Sequence, residues 1–210
     1  MLWRSSVSAV LPSGFIPPCL PTLSRRVPSG PEWVHEIKHD GYRLLVRRQG
    51  DRVRLFTRRG YDWSHRFPWI VRAALGLRAR SFAIDGEAVV CGEDGVSDFD
   101  KLHSQGWDHQ VCLYAFDLLE VYGVDFRDQP LEKRKVRLAR LLQGADPGLR
   151  YNEHLTGDGA SAFEHVCKLG LEGIVSKRRD FPYRSGRTKS WLKVKNPMSP
   201  AMLRVQDGTW

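Results

Sequence analysis

The chain has no apolar run near the roughly 20 residues that a helix needs to cross a bilayer, so a membrane-spanning helix is excluded and no membrane partner is expected. Cysteine is scarce. Cys19, Cys91, Cys112 and Cys167 form no CxxC pair and no Cys/His spacing typical of a zinc site. They read as reduced, buried thiols of a cytoplasmic protein. Glycine-rich phosphate loops are missing as well. With neither GxxxxGK[ST] nor a strand–GxGxxG–helix pattern, an ordinary P-loop or dinucleotide fold is excluded. No internal repeat or low-complexity tract occurs. Acidic residues are the minority: 24 Asp and Glu against 33 Lys and Arg leave a formal charge of +9. That balance favours a polyanionic partner.

What is present can build a core. The 210 residues are 41% hydrophobic and 10% aromatic, which suits one sizeable domain. Residues 1–14 read as the disordered or loosely attached leader of an N-terminal arm. Prolines at 12, 17, 18, 21, 28 and 31 fix φ and remove donors. Residues 1–31 therefore read as an extended, irregular arm packing through Phe15, Ile16 and Leu20. Residues 32–197 carry the periodic pattern of the main domain, and 198–210 form a short tail in which it dies out.

Within the domain, WVHEIK reads as a strand turned by Asp40-Gly41. YRLLVRR and RVRLFT read as a hairpin about Gln49-Gly50-Asp51. The spacing of Phe67, Ile70, Val71, Ala74 and Leu75 predicts a helix over 64–77. Phe82 to Cys91 is strand-like, with Asp85 holding an Asp-Gly turn, and 92–95 is a loop. VCLYAFDLL has the continuous apolar character of an interior strand. PLEKRKVRLARLL reads as a surface helix, with Leu131, Leu138, Ala139 and Leu142 near one face and basic residues covering the rest. Ala160, Phe163, Val166 and Cys167 mark another helix, stopped by Gly170. LEGIVSKR and SWLKVK are the last strands, joined by an arginine- and glycine-rich loop. The sum is an α+β fold of short antiparallel or mixed strands with three helices outside.

Ionic residues interrupt these strands in a patterned way. In an extended 33–40 segment, Glu36, Lys38 and Asp40 share a face, as do Asp85 and Glu87. Lys193 and Lys195 share another, with Leu192 and Val194 pointing inward. Glu172 and Lys177 bracket GIVS, and Asp117 follows the apolar run at 111–116. A solvent-washed sheet face would show the same pattern, but long apolar stretches indicate a buried sheet, where unpaired charge is costly. Cations facing carboxylates in a cleft suit phosphoryl or nucleotidyl transfer, because cations neutralise phosphate oxygens and carboxylates hold Mg²⁺. A lysine among other cations loses its proton more easily and can attack phosphorus. Charge patterning alone leaves the reaction open.

Six ordered motifs narrow it. Lys38-His39-Asp40-Gly41-Tyr42-Arg43 resembles the KxDGxR motif of ATP-dependent DNA ligases, and the chain is similar to their nucleotidyltransferase (adenylation) domain. Bacterial end-joining ligases resemble it most. The resemblance continues through Thr57-Arg58-Arg59-Gly60, Asp85-Gly86-Glu87, Phe116 in YAFDLL, Glu172 to Lys177 as EGxxxK, and Lys193-Val194-Lys195 as KxK. It implies a covalent nucleotidyltransferase fold in which Lys38 attacks the α-phosphate of ATP and becomes lysyl-AMP. Glu36 would read the adenine edge, and Arg43 would contact nucleotide or DNA phosphate. Arg58 would lie near the ribose and the incoming 5′-phosphate, and Phe116 would stack on adenine. Glu87 and Glu172 would hold Mg²⁺ or Mn²⁺, with ribose the alternative contact for Glu87. Lys177 would contact phosphate, and Lys193 and Lys195 would neutralise the α-phosphate and leaving group.

Arg178, Arg179, Arg184, Arg187 and Lys189 crowd one segment near Tyr183. There Arg178, Arg184, Arg187 and Lys189, with Arg58, are expected to contact the backbone of nicked or broken duplex DNA. His35 and His39 receive no role. Ligases of this family continue after KxK into an oligonucleotide-binding barrel, whereas 15 residues follow Lys195 here and no five-stranded barrel fits in them. A monomer is expected, with a partner protein supplying the barrel, or a slow isolated domain, or a truncated ligase. The rival readings are an RNA-ligase-like or other polynucleotide nucleotidyltransferase and a weakly active nucleic-acid-binding module.

Overall fold

The computed structural model describes residues 14–92, 96–104 and 106–207. Expectations for residues 1–13 of the leader, for the tip of the 92–95 loop and for residues 208–210 lie outside them. Alternating apolar residues build two sheets. The first runs in the order β1 (Cys19–Leu23), β11 (Gly186–Lys195), β10 (Gly173–Arg178), β2 (Trp33–Ile37) and β9 (His154–Leu155). The second runs β4 (Arg52–Thr57), β3 (Tyr42–Gln49), β5 (Ser81–Val89), β6 (Cys112–Val121) and β7 (Val124–Asp125). β8 (Leu149–Tyr151) lies parallel to β6, and β1 is parallel to β11; the other pairings are antiparallel. The fold is thus the α+β class with mixed sheets.

Both faces of β3 are covered, which is why YRLLVRR reads as a run instead of an alternation. Leu44 and Val46 join Leu55, Ile84 and Leu113 in a core closed by Ile70 and Ala74 of α1 (Pro68–Gly76). Leu45 faces the other way, into a cluster with Phe56, Ala83, Leu119, Tyr183 and Trp191 that joins the two sheets. The outer face of the first sheet is covered by α4 (Gly159–Lys168), whose Val166 packs on Ile174 and Val194. Gly170, with φ +71°, follows this helix as its composition predicts.

Several expectations are corrected. Cys19–Leu23, inside the arm expected to be irregular, is a strand because its backbone pairs with β11. α1 begins at Pro68 and not at 64, since proline at the first turn forfeits no helical hydrogen bond. Asp85-Gly86 makes no turn: β5 continues through it, with a register shift against β6 between the two residues. A Cβ on Gly86 would meet the Leu113 side chain at 2.7 Å and Tyr114 O at 2.8 Å, so close strand packing explains this glycine. Two short helices were unmarked by pattern, α2 (Phe99–His103), capped by Asp98, and α5 (Pro200–Asp207) within the segment expected to be a patternless tail. Finally, α3 (Leu131–Leu141) does not keep its basic residues outside. Arg134 is fully buried in a bidentate pair with Asp117 of β6, at 2.7 and 2.9 Å. Lys135 is 2% exposed.

Candidate active site

A cleft of about 190 Å³ opens between the two sheets. Its first wall comes from the end of β2. The Lys38 amide donates to Gly173 O at 2.9 Å, extending the β2–β10 pairing one residue beyond Ile37. Residue 173 must be glycine because of β11 on its other side: its φ is +143° and a Cβ would lie 2.1 Å from Val194 O. Gly41 then lets the chain cross to the second sheet, since a Cβ there would lie 2.2 Å from Ala88 O. Asp40-Gly41 is therefore a crossover between sheets, and β3 emerges from it carrying Arg43. Lys38 Nζ donates to Glu172 Oε2 across the first sheet, and Lys195 Nζ stands 3.5 Å from Glu172 Oε1. Asp40 leaves the cleft and pairs with Arg204 of α5, so the expected shared face holds for Glu36 and Lys38 only.

Glu87 of β5 lines the opposite wall with Arg58 and Arg43. Burial raises its pKa to about 7, against the pull of Lys38 and Arg43 and with a further push from the Glu172 charge. Lys193 of β11 also lines the cleft; burial and then the like charges of Lys38 and Lys195 lower its pKa. Among the described residues no group of three or more His, Cys, Asp or Glu is set to hold a metal. The Glu87 and Glu172 carboxylates match the chemistry of Mg²⁺ nonetheless, a hard ion that takes one or two protein oxygens and fills its other positions with water and substrate phosphate.

The far end of the cleft is aromatic. Phe116 and Trp191 line it, their rings 6.0 Å apart, and Lys177 Nζ lies 4.3 and 4.1 Å from the two ring centres. Lys177 is 2% exposed. Below it Glu36 accepts from Lys177 Nζ through Oε2 at 2.6 Å and from Lys135 Nζ through Oε1 at 2.8 Å. Burial alone would raise the Glu36 pKa, but the two lysines outweigh it and keep the carboxylate ionised. Asn152 Nδ2 adds a bond to Glu36 Oε2 at 3.3 Å, and its Oδ1 accepts from His39 Nε2 at 3.0 Å. His39 stacks on Tyr114 at 4.2 Å, and burial lowers its pKa, leaving a neutral ring. Lys135, Asn152, His39 and Trp191 are thus site residues that motif reading passes over.

Arg43 is spoken for. Its guanidinium donates to both oxygens of Asp85, at 2.9 and 2.6 Å, and Asp85 also accepts from the Tyr183 hydroxyl at 2.7 Å. Burial would lower the Arg43 pKa, but Asp85 holds it above its ordinary value. Asp85 therefore fixes Arg43 and not a turn. Of the residues expected at DNA, Arg58 is exposed at the cleft mouth in the Thr57–Gly60 turn, and Arg187 lines the rim. Lys189 is exposed farther along β11. Arg178 is paired with Asp180 and Arg184 with Asp128. Tyr183 is 2% exposed, so this loop is anchored to the inter-sheet core and is not a free solvated one.

The chain is similar to known proteins over most of its length. A family described as ATP dependent DNA ligase domain matches residues 22–195. The multifunctional non-homologous end joining protein LigD of Pseudomonas aeruginosa is 41% identical over 185 residues, covering 86% of this chain and 22% of that protein. The LigD of Mycobacterium tuberculosis is 39% identical over 166 residues, covering 79% of this chain and 22% of its own. The chain thus spans about a fifth of the length of the curated relatives it matches. A solved mycobacterial DNA ligase D complexed with ATP and MES is 35% identical with a TM-score of 0.75, over 85% of this chain and 59% of that one. No described helix is long and apolar enough to cross a membrane.

Proposed function

Because the chain belongs to the ATP-dependent DNA ligase domain family, we propose that it takes AMP from ATP onto Lys38 and delivers it to the 5′-phosphate of a DNA nick. The observation that carries this is the setting of Lys38: a lysine held on Glu172, facing Glu87 and Lys193, in a cleft whose other end is walled by Phe116 and Trp191. The aromatic end suits a purine, and the charged end suits phosphates.

Lys38 must shed a proton before it attacks, and the Glu172 carboxylate that accepts its hydrogen bond is placed to receive that proton. The amine then bonds to the α-phosphorus as the bond to the pyrophosphate oxygen breaks. Lys193 and Lys195 offset charge on the α-phosphate and the leaving group. A 5′-phosphate oxygen next attacks the same phosphorus, breaking the N–P bond and freeing Lys38. Finally the 3′-hydroxyl attacks the 5′-phosphate and AMP departs. Glu87 and Glu172 would hold Mg²⁺ or Mn²⁺, which supplies positive charge beside the phosphate oxygens when bound.

Intact mass after incubation with ATP and Mg²⁺ tests the first step, with gain of one AMP expected. Sealing of nicked DNA in preference to nicked RNA tests the substrate. An unmodified, well-folded protein would leave only the binding-module reading. At the surface, DNA affinity should lose salt dependence by about one unit of log–log slope for each phosphate-contacting cation removed. Arg58→Ala, Arg187→Ala and Lys189→Ala are expected to show that loss in a salt titration. Arg178→Ala and Arg184→Ala should show less, because Asp180 and Asp128 already neutralise those guanidinium groups.

A further inference from the structure

Glu36 has one cation more than it needs. Its carboxylate is 2% exposed and is held by two ammonium groups, which leaves a surplus positive charge under the floor of the cleft. The two lysines are not equivalent. Lys177 stands on β10 and lines the cleft beside Phe116 and Trp191. Lys135 comes from α3 behind the cleft, does not line it, and has a second acceptor in Asn152 O at 2.7 Å. It also sits 4.4 Å from the Tyr151 ring. Burial and the like charge of Lys135 hold the Lys177 pKa below its ordinary value, whereas the attraction of Glu36 holds that of Lys135 above it despite burial. Lys177 is the ammonium on the ligand side, and Lys135 is the anchored one.

We propose that Lys135 is a positioning residue for nucleotide binding, the resident counter-charge that keeps Glu36 ionised and in place when Lys177 gives way to a base entering beside Phe116 and Trp191. The inference rests on the reading of this cleft as a nucleotide site and adds a division of labour to it. Were Lys177 the sole partner, its departure would strand a buried carboxylate, which would take up a proton or swing away. An ionised carboxylate only accepts hydrogen bonds, so it favours the amino group of adenine and opposes the carbonyl of guanine. A protonated carboxyl can donate and loses that discrimination. Asn152 extends the anchor towards the nucleophile: it bonds Glu36 and His39, the residues two before and one after Lys38, and the Lys135 ammonium holds its carbonyl.

The test measures binding of α,β-methylene-ATP and α,β-methylene-GTP by calorimetry, which needs no covalent step. In Lys135→Met, affinity for the ATP analogue is expected to fall about tenfold, the size of one charge-assisted hydrogen bond. Its preference over the GTP analogue should shrink by a similar factor. Lys135→Arg, which keeps the charge, should restore most of the preference. Lys135→Gln, measured alongside with thermal melts, serves if the methionine variant does not fold. A folded neutral variant with wild-type affinity and wild-type preference overturns the proposal. So does a loss of affinity equal for both analogues, which a merely structural role would give. A wild-type protein that binds the analogues selectively yet forms no AMP adduct sinks the ligase chemistry and leaves Lys135 to be judged by these ratios. One that binds neither analogue sinks both.

Discussion

Lys38→Ala is expected to abolish the AMP adduct: intact mass after ATP and Mg²⁺ should show unmodified protein only. The expectation follows from the nucleophile's geometry and not from its charge, and a second variant separates the two. Lys38→Arg keeps a cation to pair with Glu172, but a guanidinium is not deprotonated in proteins and cannot attack phosphorus. It too should carry no adduct. Lys193 is the only other lysine besides Lys177 and Lys38 that lines the cleft among the described residues, and its lowered pKa makes it the obvious substitute nucleophile. An adduct that persists in Lys38→Ala and maps to Lys193 would therefore refute the assignment. Both Lys38 variants should still seal a nick supplied already carrying 5′-AMP, because the last displacement uses the 3′-hydroxyl and not the lysine. Failure there with folded protein would mean that Lys38 also serves the final step.

The strands that build the inter-sheet core were legible because their periodicity and their burial agree. Leu44, Leu45 and Val46 read as a run since both sides of β3 are packed, and Val194 alternates inward as its pattern predicts. The misreadings occur where contacts distant in sequence decide. Asp85-Gly86 has turn composition, but Leu113 and Tyr114 from β6 crowd the glycine and keep it in a strand. Residues 19–23 have proline composition, yet β11 offers them a parallel edge. β9 and β7 are two residues long, too short for any period to show.

In the cleft, the motifs located the groups that line it, Lys38, Glu87, Phe116, Lys177 and Lys193, along with Glu172 beside Lys38. They did not reveal the partners that hold those groups. Arg43 belongs with Asp85, Glu36 with Lys135, and Asn152 with both Glu36 and His39, separations of 42, 99, 116 and 113 residues. No local pattern encodes such pairs. One clue did exist. Lys135 lies four residues after Leu131 and three before Leu138, and Arg134 three after Leu131 and four before Leu138, so both occupy the apolar side of α3. Two cations at core positions of an amphipathic helix require buried acceptors.

Arg134 gives the larger consequence of that rule. Arg134→Ala is expected to destabilise the fold by about 3–5 kcal/mol, the cost of leaving a buried charge unpaired. Asp117 would keep its carboxylate at 0% exposure with no cation against it, and the carbonyls of Gln129 and Phe181 would lose donors now at 2.5 and 3.0 Å. Against the roughly 5–15 kcal/mol that holds an ordinary domain together, such a loss lowers the melting midpoint steeply or prevents folding. Removing both charges tests the mechanism. In Arg134→Met with Asp117→Leu the unpaired carboxylate is gone, and hydrophobic replacement of a buried pair is often neutral or better. Recovery should nevertheless stop short of wild type, because Gln129 O loses its guanidinium donor and Phe181 O keeps only the Leu131 amide, at 3.1 Å. Chemical denaturation of the single and double variants decides it. A double variant no more stable than Arg134→Ala would show that the helix depends on the guanidinium's bonds to Gln129 and Phe181, and that the pair with Asp117 contributes little. Full recovery would show the opposite, and α3 would then be held against β6 by packing alone.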